Sequence, residues 1–442
     1  MRTLIVLSGV VAVLIGCTTV RTPRGVSADR AMSVGTCVAG TWSAPTRLAN
    51  SAGRPIYIES PSAVPFGGGA ALFGTPTFLW RSATVFADTA GMRDLVRSGQ
   101  YVDIDTLVGA IVHPDGTATT VGRPRGVSSM STPLAVSGPN GSVDVLWMTR
   151  KDTTKQFTDL WFARYSTSGW SEPEHVLRGH YFEWSINSAS AVAGDGYPIV
   201  AITGTEKDSA PTTGIGIVHR VGADWRVTWI PTGLLWPFRV KLGASDSSHL
   251  IVAFLGSVLP LASPRDTNGL FIARSSDRGA TWEPLRRIER LWNTRAVNLQ
   301  MVMGGRDTTH LLWREGDSPS ASTRIRRTTS IDGGRDWRKA GDAALDRPID
   351  TFDVAELGGH LQAVVRETDT YSLAFLKFRN DGNVEFNRLP QHNSRLIPRL
   401  AALAPDRLLL TEPRMQEHAY PMFPGVAVPV TLYATMSARC QP

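Results

Sequence analysis

The chain has 442 residues, of which 42% are hydrophobic, so it can bury a large core. Its 13 Trp, 41 Gly and 28 Pro residues suit many short strands that are joined by tight turns. The formal charge is +7, yet the basic residues form neither a polybasic run nor a basic helix with interleaved aromatic residues. This pattern argues against a nucleic-acid partner and indicates a soluble basic protein, for which we expect a monomer and no cofactor.

The first residues have the pattern of an export signal: Arg2 is followed by the apolar run "LIVLSGVVAVLIG" and by Cys17. The ending "LIGC" resembles the lipobox of bacterial lipoproteins. That resemblance implies that residues 1–16 are removed, that Cys17 is lipidated and that the protein is anchored to the lipid bilayer of the bacterial cell envelope, at the outer membrane in a cell with two membranes. The alternative is an ordinary secretory signal with an incidental cysteine. Residues 17–36 are polar and predict a flexible tether.

A unit of about 50–55 residues repeats along the rest of the chain and predicts a propeller or a solenoid. Its most recognisable part is a nearly continuous apolar strand, typical of strands that are covered on both faces. The copies are "TPTFLWR" at 75–81, "SVDVLWMTR" at 142–150, "YPIVAITG" at 197–204, "HLIVAFLG" at 249–256, "HLLWREG" at 310–316, "HLQAVVRE" at 360–367 and "RLLLTE" at 407–412. The repeat predicts an all-β domain over residues 37–440, a single β-propeller of four-stranded antiparallel blades.

We expect seven blades, with six as the alternative. The last unit lacks its fourth strand, and the unpartnered stretch "GTWSAPTRL" at 40–48 resembles that missing strand. An N-terminal strand that completes the last blade would close the ring and remove its open edge. This closure would bring Cys37 close to Cys440, and we expect a disulfide between them, with two free thiols as the alternative.

Two stretches, "SSDRGATW" at 275–282 and "SIDGGRDW" at 330–337, share the form Ser-x-Asp-x-Gly-x-x-Trp. They are identified as Asp boxes, or BNR repeats, and the chain thus resembles the sialidase-like β-propeller superfamily. In such a turn Ser and Asp bond backbone amides, Gly adopts a positive φ and Trp packs beneath the turn. We therefore interpret eight residues as structural: Ser275, Asp277, Gly279 and Trp282 in the first box, and Ser330, Asp332, Gly334 and Trp337 in the second.

Three histidines, His249, His310 and His360, begin equivalent strands of different repeats. Equivalent positions in different blades are far apart around a ring, so we predict no metal site.

The loops that enter the innermost strands gather on one face of a propeller and form a funnel that suits a ligand. Three of these stretches, "EWSIN", "LWPFR" and "LWNTR", combine a tryptophan with a polar residue, and a fourth, "NSRLIPR", supplies further arginines. Aromatic rings stack on sugars, and arginines bind carboxylates in a bidentate manner. The predicted ligand-binding residues are Trp184, Trp236, Trp292, Arg239, Arg295 and Arg395.

The leading interpretation is an envelope protein that binds a glycan or a protein through the funnel face. The alternative is an exo-acting glycosidase of sialidase type. The resemblance then implies three arginines for the substrate carboxylate, a tyrosine nucleophile assisted by a glutamate, and an aspartate as acid/base. Their candidates are Arg239, Arg295 and Arg395, Tyr420 (or Tyr181), Glu183, and Asp350. The Arg-Ile-Pro motif of sialidases is replaced by "GRPIYIE" at 53–59, which favours binding over hydrolysis. A third possibility is a scaffold for envelope assembly.

Overall fold

The computed structural model describes most of the repeated region, in segments that are interrupted mainly at loops. The described residues are 42, 44–50, 53, 56, 58–75, 77–79, 108–125, 133–150, 157–177, 181–182, 189–205, 213–233, 235–245, 248–258, 268–291, 298–304, 307–315, 322–339, 341–379, 383–394, 396–404, 407–415 and 427–437. Within these segments the regular elements are β-strands, with one 3-10 turn at Pro139–Gly141. Among these residues no helix has the length and apolar character needed to cross a bilayer.

The strands of the first half form antiparallel sheets in chain order. The first strand, β1, is Thr46–Arg47. A four-stranded sheet follows, with β2 (Glu59–Phe66), β3 (Gly69–Thr75), β5 (Val108–Val112) and β6 (Ala118–Val121), while β4 (Thr77–Leu79) lies outside it. The next group contains β7 (Leu134–Ser137), β8 (Val143–Arg150), β9 (Phe157–Ser166), β10 (Gly169–Trp170) and β11 (Glu174–Leu177), in which β10 and β11 both pair with β9. The short β12 (Tyr181–Phe182) links this group to β13 (Ala189–Val192), β14 (Ile199–Thr205), β15 (Thr213–Val221) and β16 (Asp224–Pro231).

The second half repeats the same antiparallel order. One four-stranded sheet contains β17 (Leu235–Ala244), β18 (Leu250–Val258), β19 (Gly269–Ser275) and β20 (Arg286–Arg290). A longer sheet contains β21 (Leu299–Gly304), β22 (Thr308–Arg314), β23 (Ser322–Ser330), β24 (Gly341–Leu357), β25 (His360–Glu367), β26 (Ser372–Phe378) and β27 (Val384–Asn393). The start of β24 pairs with β23 and its end pairs with β25, so β24 is shared between two groups of four. The last sheet contains β28 (Arg399–Ala404), β29 (Arg407–Met415) and β30 (Ala427–Met436), and β1 pairs with β30.

The hydrophobic core is divided into clusters, each of which lies between two neighbouring groups of strands. Trp147 and Phe73, for example, pack in one cluster that joins the β2 group to the β7 group. Phe254 packs against Ile215 and Ile217 in another, between the β13 and β17 groups. A further cluster joins the last sheet to the first four-stranded sheet, through residues that include Leu409 and Leu72. Both faces of each group are therefore covered, which explains the nearly continuous apolar strands of the sequence.

The first strand of each group faces the centre of the molecule, and we call these the inner strands: β2, β7, β13, β17, β21, the end of β24, and β28. Each contacts the inner strands on either side of it, and β28 contacts β2. Side chains satisfy backbone groups between these strands: Ser62 Oγ accepts the N–H of Ala135 at 2.9 Å, and Ser190 Oγ accepts the N–H of Leu242 at 3.0 Å. Neighbouring inner strands do not pair with each other, so these bonds satisfy backbone groups that a β-ladder would otherwise satisfy.

The two ends of the described chain meet in the last sheet. Thr46 pairs with Ala434 and Arg47 with Tyr433, while Trp42 forms an isolated bridge to Ser437. This pairing agrees with the predicted position of the stretch 40–48. The predicted disulfide residues, Cys37 and Cys440, lie outside the described residues.

The apolar repeat motif predicted the wrong position for the second strand of the first four-stranded sheet. We expected it at 75–81, but it is Gly69–Thr75, and Thr77–Leu79 instead pairs with Ala427–Pro429 of β30. The reason is a two-residue hairpin turn at Gly67 and Gly68, whose φ angles are 57° and 78°. A turn of this type requires two positive φ angles and sets the register of both strands.

The architecture is thus all-β and contains several four-stranded antiparallel sheets, which is consistent with a β-propeller.

Candidate functional site

A cavity of about 430 Å³ lies where the inner strands meet. Its wall includes Ser62 of β2, Ala189 of β13, Gln300 of β21 and Asp353 of β24. Its volume falls in the range of small-molecule sites. The cavity is therefore built by the centre of the fold, and every inner strand contributes to it.

Two cationic side chains reach this cavity from β17, because that strand contains a β-bulge. The pairing with β18 shifts between Phe238 and Lys241, so Arg239 and Val240 together lie opposite a single residue. Arg239 has a φ of +56°, which is unusual for a residue other than glycine. Arg239 and Lys241 line the cavity, while Val240 is fully buried in the core. Bulges commonly redirect a side chain towards a functional site, and this one directs two.

The environment of Lys241 disfavours its charged form. Burial is the largest cause, Arg399 and Arg239 add repulsion, and Asp353 opposes them in part, so the pKa of the amine is lowered to about 8. Burial, with repulsion from Arg399, also lowers the pKa of Arg239. Neither Lys241 nor Arg239 forms a hydrogen bond or an ion pair with any residue in the described segments.

Asp353 is held rigidly beside these cations. Its Oδ1 accepts a hydrogen bond from Gln300 Nε2 at 2.9 Å, and its Oδ2 accepts one from the backbone N–H of Leu400 at 2.9 Å. The Arg399 Nη1 atom lies 4.0 Å from Oδ1, an ion pair at the limit of contact. Burial raises the pKa of Asp353, although the nearby Arg399 and the Leu400 N–H oppose that effect.

A second set of charges lines the cavity from β22, β24 and β25. Arg366 donates two hydrogen bonds to Asp350, from Nε to Oδ1 at 2.8 Å and from Nη2 to Oδ2 at 2.6 Å. Arg314 is buried and donates from Nη1 to the carbonyl of Ile349 at 2.9 Å. Burial lowers the pKa of Arg314, and Arg239 and Arg366 contribute to this. The described wall thus carries five cationic side chains and two carboxylates: Arg239, Lys241, Arg314, Arg366, Arg399, Asp350 and Asp353.

The structure brings together only part of the predicted site. Arg239 and Asp350 both line the cavity. Trp236, which we expected on an entering loop, lies within β17, where its backbone pairs with Ser257, because the ladder with β18 continues to the start of β17 at Leu235. Tyr181 belongs to the short strand β12. The remaining candidates, Trp184, Trp292, Arg295, Arg395, Tyr420 and Glu183, lie outside the described residues, as does Cys17.

Of the cationic residues that accompany Arg239 in the cavity, Arg399 belongs to the stretch "NSRLIPR" that the sequence singled out. Lys241, Arg314 and Arg366 were missed, although a sequence signal for two of them exists. An arginine lies near the end of the apolar motif in two of the repeats, Arg314 in "HLLWREG" and Arg366 in "HLQAVVRE". A charge at a fixed place beside a buried strand is uncommon and indicates a shared function or partner. Lys241 could not be found in this way, because the bulge that directs it into the cavity depends on the pairing with β18.

The two Asp boxes form turns with nearly the same hydrogen bonds. Ser275 Oγ donates to Asp277 Oδ1 at 2.8 Å and accepts the N–H of Gly279 at 2.8 Å. In the second box the corresponding bonds join Ser330 to Asp332 at 2.7 Å and to Gly334 at 2.8 Å. The tryptophans that end the boxes, Trp282 and Trp337, each donate from Nε1 to the carbonyl of the box glycine at 3.0 Å. These bonds are those expected of turn-forming residues.

The Asp boxes lie away from the cavity. The first box begins at Ser275, which pairs with Leu250, and Leu250 in turn pairs with Ala244 at the end of β17. Arg239 lies in the other half of β17, and the described Asp-box residues are not among those that line the cavity.

We expect Ser330→Ala to lower the free energy of unfolding by about 1–3 kcal/mol, because it leaves the buried N–H of Gly334 without its acceptor. Urea denaturation measures the change, and Ser168→Ala, at an exposed turn with a hydroxyl–hydroxyl bond to Ser166, is the control. Ligand binding should not change. A variant as stable as the parent would contradict the structural role of the box.

The three aligned histidines show no convergence. His310 Nδ1 shares a hydrogen bond with Thr329 Oγ1 at 2.9 Å, and burial, with repulsion from Arg327, lowers the pKa of His310 to about 4. His249 precedes β18, and His360 begins β25. Over the described segments, no group of three or more His, Cys, Asp or Glu residues could hold a metal ion.

No protein-family model and no curated protein matches the chain. Among solved structures it is similar to an α-L-arabinanase of Penicillium chrysogenum, at 12% identity and a TM-score of 0.44, over 68% of this chain and 92% of the other. It is also similar to an α-L-arabinofuranosidase of Fusarium graminearum, at 12% identity and a TM-score of 0.45, over 70% of this chain and 91% of the other. The NanB sialidase of Streptococcus pneumoniae aligns at 12% identity and a TM-score of 0.42, over 90% of this chain and 71% of the sialidase. The likeness concerns the fold and carries nothing about the site.

Proposed function

We propose that this protein is a closed β-propeller of seven blades that binds an acidic glycan, through its carboxylate groups, in the central cavity. The blade count is supported by the successive groups of four strands, with β24 shared between two of them. The closure is supported by three contacts: β1 with β30, β28 with β2, and the apolar cluster between the last sheet and the first four-stranded sheet.

The observation that carries the function is the excess of cations around the cavity. Five cationic side chains face two carboxylates, and Arg239 and Lys241 have no bonded partner in the described segments. Uncompensated buried charge is costly, so proteins retain it mainly where a ligand supplies the opposite charge. An anion that enters the cavity would relieve the repulsion that Arg399 exerts on Arg239 and Lys241, which contributes to the lowered pKa values of these two residues.

A carboxylate fits this site better than a neutral group does. Guanidinium groups bind carboxylates through two parallel hydrogen bonds, as Arg366 already does with Asp350. Arg239 and Arg399 also line the cavity with guanidinium groups, and these form fewer bonds to the protein than that of Arg366. Arg399, for example, has one ion pair at the limit of contact, to Asp353. The wall also contains the amides of Asn298 and Gln300, groups that can hydrogen-bond sugar hydroxyls.

The geometry favours binding over hydrolysis. Asp350, the acid/base candidate of the sialidase-type alternative, has both carboxylate oxygens in hydrogen bonds to Arg366. A carboxylate engaged in this way orients its arginine and is poorly placed to transfer a proton to a leaving group.

The proposal includes anchoring to a bacterial envelope through Cys17, which is supported by the sequence "LIGC" and the apolar run before it. The ligand would then be an extracytoplasmic one.

Isothermal titration calorimetry of the purified protein tests the binding proposal. Oligosaccharides of uronic acids and sialylated lactose should bind, and the neutral parents of equal length should bind at least about tenfold more weakly, with affinity that falls as salt is raised. Equal affinity for neutral and acidic glycans, or no binding of any, would overturn the proposal. Release of a monosaccharide during incubation would instead establish the glycosidase alternative.

A further inference from the structure

We propose that the side-chain amine of Lys241 is a nucleophile that forms a Schiff base with the carbonyl group of a 2-oxo acid whose carboxylate is held by Arg239 and Arg399. This inference rests on the proposed function, because it uses the same cations to hold the carboxylate. It goes beyond that function by assigning a covalent step and the chemical class of the reacting ligand.

The first support is the position of Lys241. Its side chain lines the central cavity and is not engaged in a hydrogen bond or an ion pair with the described residues. Lysines that are removed from solvent are nearly always paired with an acid. The nearest candidate, Asp353, has its oxygens engaged with Gln300 and with the Leu400 N–H. Lys241 therefore remains available to a molecule inside the cavity.

The second support is the way in which the backbone presents Lys241. It lies two residues after Arg239 on β17, at the bulge where Arg239 takes a φ of +56°. Such a conformation costs about 1 kcal/mol or more and persists where the surroundings require it. The bulge places a guanidinium and an amine side by side in the wall of one cavity. In a 2-oxo acid the carboxylate and the carbonyl are likewise neighbours, so one group can meet the guanidinium while the other meets the amine.

The third support is the electrostatic environment. Burial and the nearby Arg399 and Arg239 lower the pKa of Lys241 to about 8, so a substantial fraction of the amine is neutral at mildly alkaline pH. Only the neutral amine has the lone pair that attacks a carbonyl carbon, and desolvation next to another cation is an established way to activate a lysine.

The step balances without any further reactant. The nitrogen lone pair forms a C–N bond to the carbonyl carbon, and the carbonyl oxygen takes up a proton as the nitrogen loses one. The hydroxyl group of this carbinolamine then leaves as water with one more proton, and a protonated imine remains. These protons are exchanged with water, because both oxygens of Asp353, the carboxylate that interacts electrostatically with Lys241, already accept hydrogen bonds.

Borohydride trapping of the full-length protein tests the inference. The protein is incubated with pyruvate, sodium borohydride is added to reduce any imine to a stable secondary amine, and the labelled lysine is located by peptide mass spectrometry. We expect one main adduct, at Lys241, which is lost in Lys241→Arg and retained in Lys339→Arg, a substitution at an exposed lysine. Trapping should become faster as the pH is raised from 7 to 9, through the pKa of about 8. Labels spread over the exposed lysines, or unchanged in Lys241→Arg, would overturn it.

Two further arms separate this inference from the proposed function. Arg239→Gln should reduce the rate of trapping by pyruvate at least about tenfold, but not the rate of trapping by acetaldehyde, which has no carboxylate. An equal loss with both carbonyl compounds would overturn the role of Arg239.

The second arm compares pyruvate trapping with glycan binding. If acidic glycans bind and no adduct forms with pyruvate, the Schiff base is wrong and the binding function stands. If an adduct forms at Lys241 but acidic glycans do not bind, the covalent step stands and the glycan proposal fails.

Discussion

Replacing Arg239 by Gln is expected to weaken the binding of an acidic glycan by roughly 30-fold to 1000-fold, the range for a truncated charge in a buried pair. The same variant should be at least as stable as the parent. Arg239 has no bonded partner in the described segments, and burial together with Arg399 disfavours its charge in the empty cavity. Calorimetric titration and urea denaturation measure the two effects on the same samples.

The matched control is Arg338→Gln, because Arg338 is exposed and follows the second Asp box, away from the cavity. It should leave both the affinity and the free energy of unfolding unchanged within about 0.5 kcal/mol. If Arg239→Gln destabilised the protein by several kcal/mol, Arg239 would be a structural residue, and the central argument for an anion site would fail.

Replacing Lys241 by Met should increase the free energy of unfolding at pH 7 by about 1–3 kcal/mol, because it removes, at nearly constant volume, a charge that desolvation disfavours and that has no bonded partner in the described segments. The pKa of Lys241 is about 8 in the native state, against 10.5 for an ordinary lysine. Between these values the unfolded chain binds a proton that the native protein does not bind, so the native parent gains stability as the pH rises from 8 to 10.5. The variant lacks that gain.

The advantage of Lys241→Met over the parent should therefore be largest at and below pH 7 and should nearly vanish above pH 10.5. Urea denaturation at several pH values measures it, and Lys339→Met, at an exposed site, supplies the comparison. A variant that is less stable than the parent at pH 7 would mean that the amine is favourably paired in the native protein. Such a result would also remove the basis for its reactivity.

The strands of this protein could be predicted from the sequence because their signal is local. Apolar runs such as that of β18, bounded by turn residues, are visible in the chain and are buried as expected. In the first four-stranded sheet, prediction from local composition failed. The apolar composition of "TPTFLWR" resembles that of the other second strands, but the turn at Gly67 and Gly68 assigns the role to Gly69–Thr75. Register depends on turn geometry, which composition does not encode.

The site was predicted only in part, for a similar reason. Arg239 was chosen from a stretch that enters an inner strand and Asp350 as the acid/base that the sialidase resemblance implies, and both line the cavity. Lys241 and Asp353 were not chosen, because each looks like an isolated charge within a strand. Only the pairing of β17 with β18, and the contacts of β24 with β21 and β28, bring them to the same cavity. Residues that meet through the tertiary structure leave no mark on local sequence patterns.

The pairing of Thr46 and Arg47 with β30 has a consequence for the order of folding. These residues are synthesised long before their partners, Ala434 and Tyr433. The entropy of closing so long a loop makes this one of the slowest contacts to form. Until it forms, the edge of β30 is open to strands of other molecules. A chain in which β1 has not yet paired with β30 would thus be prone to aggregate, even with all other sheets in place.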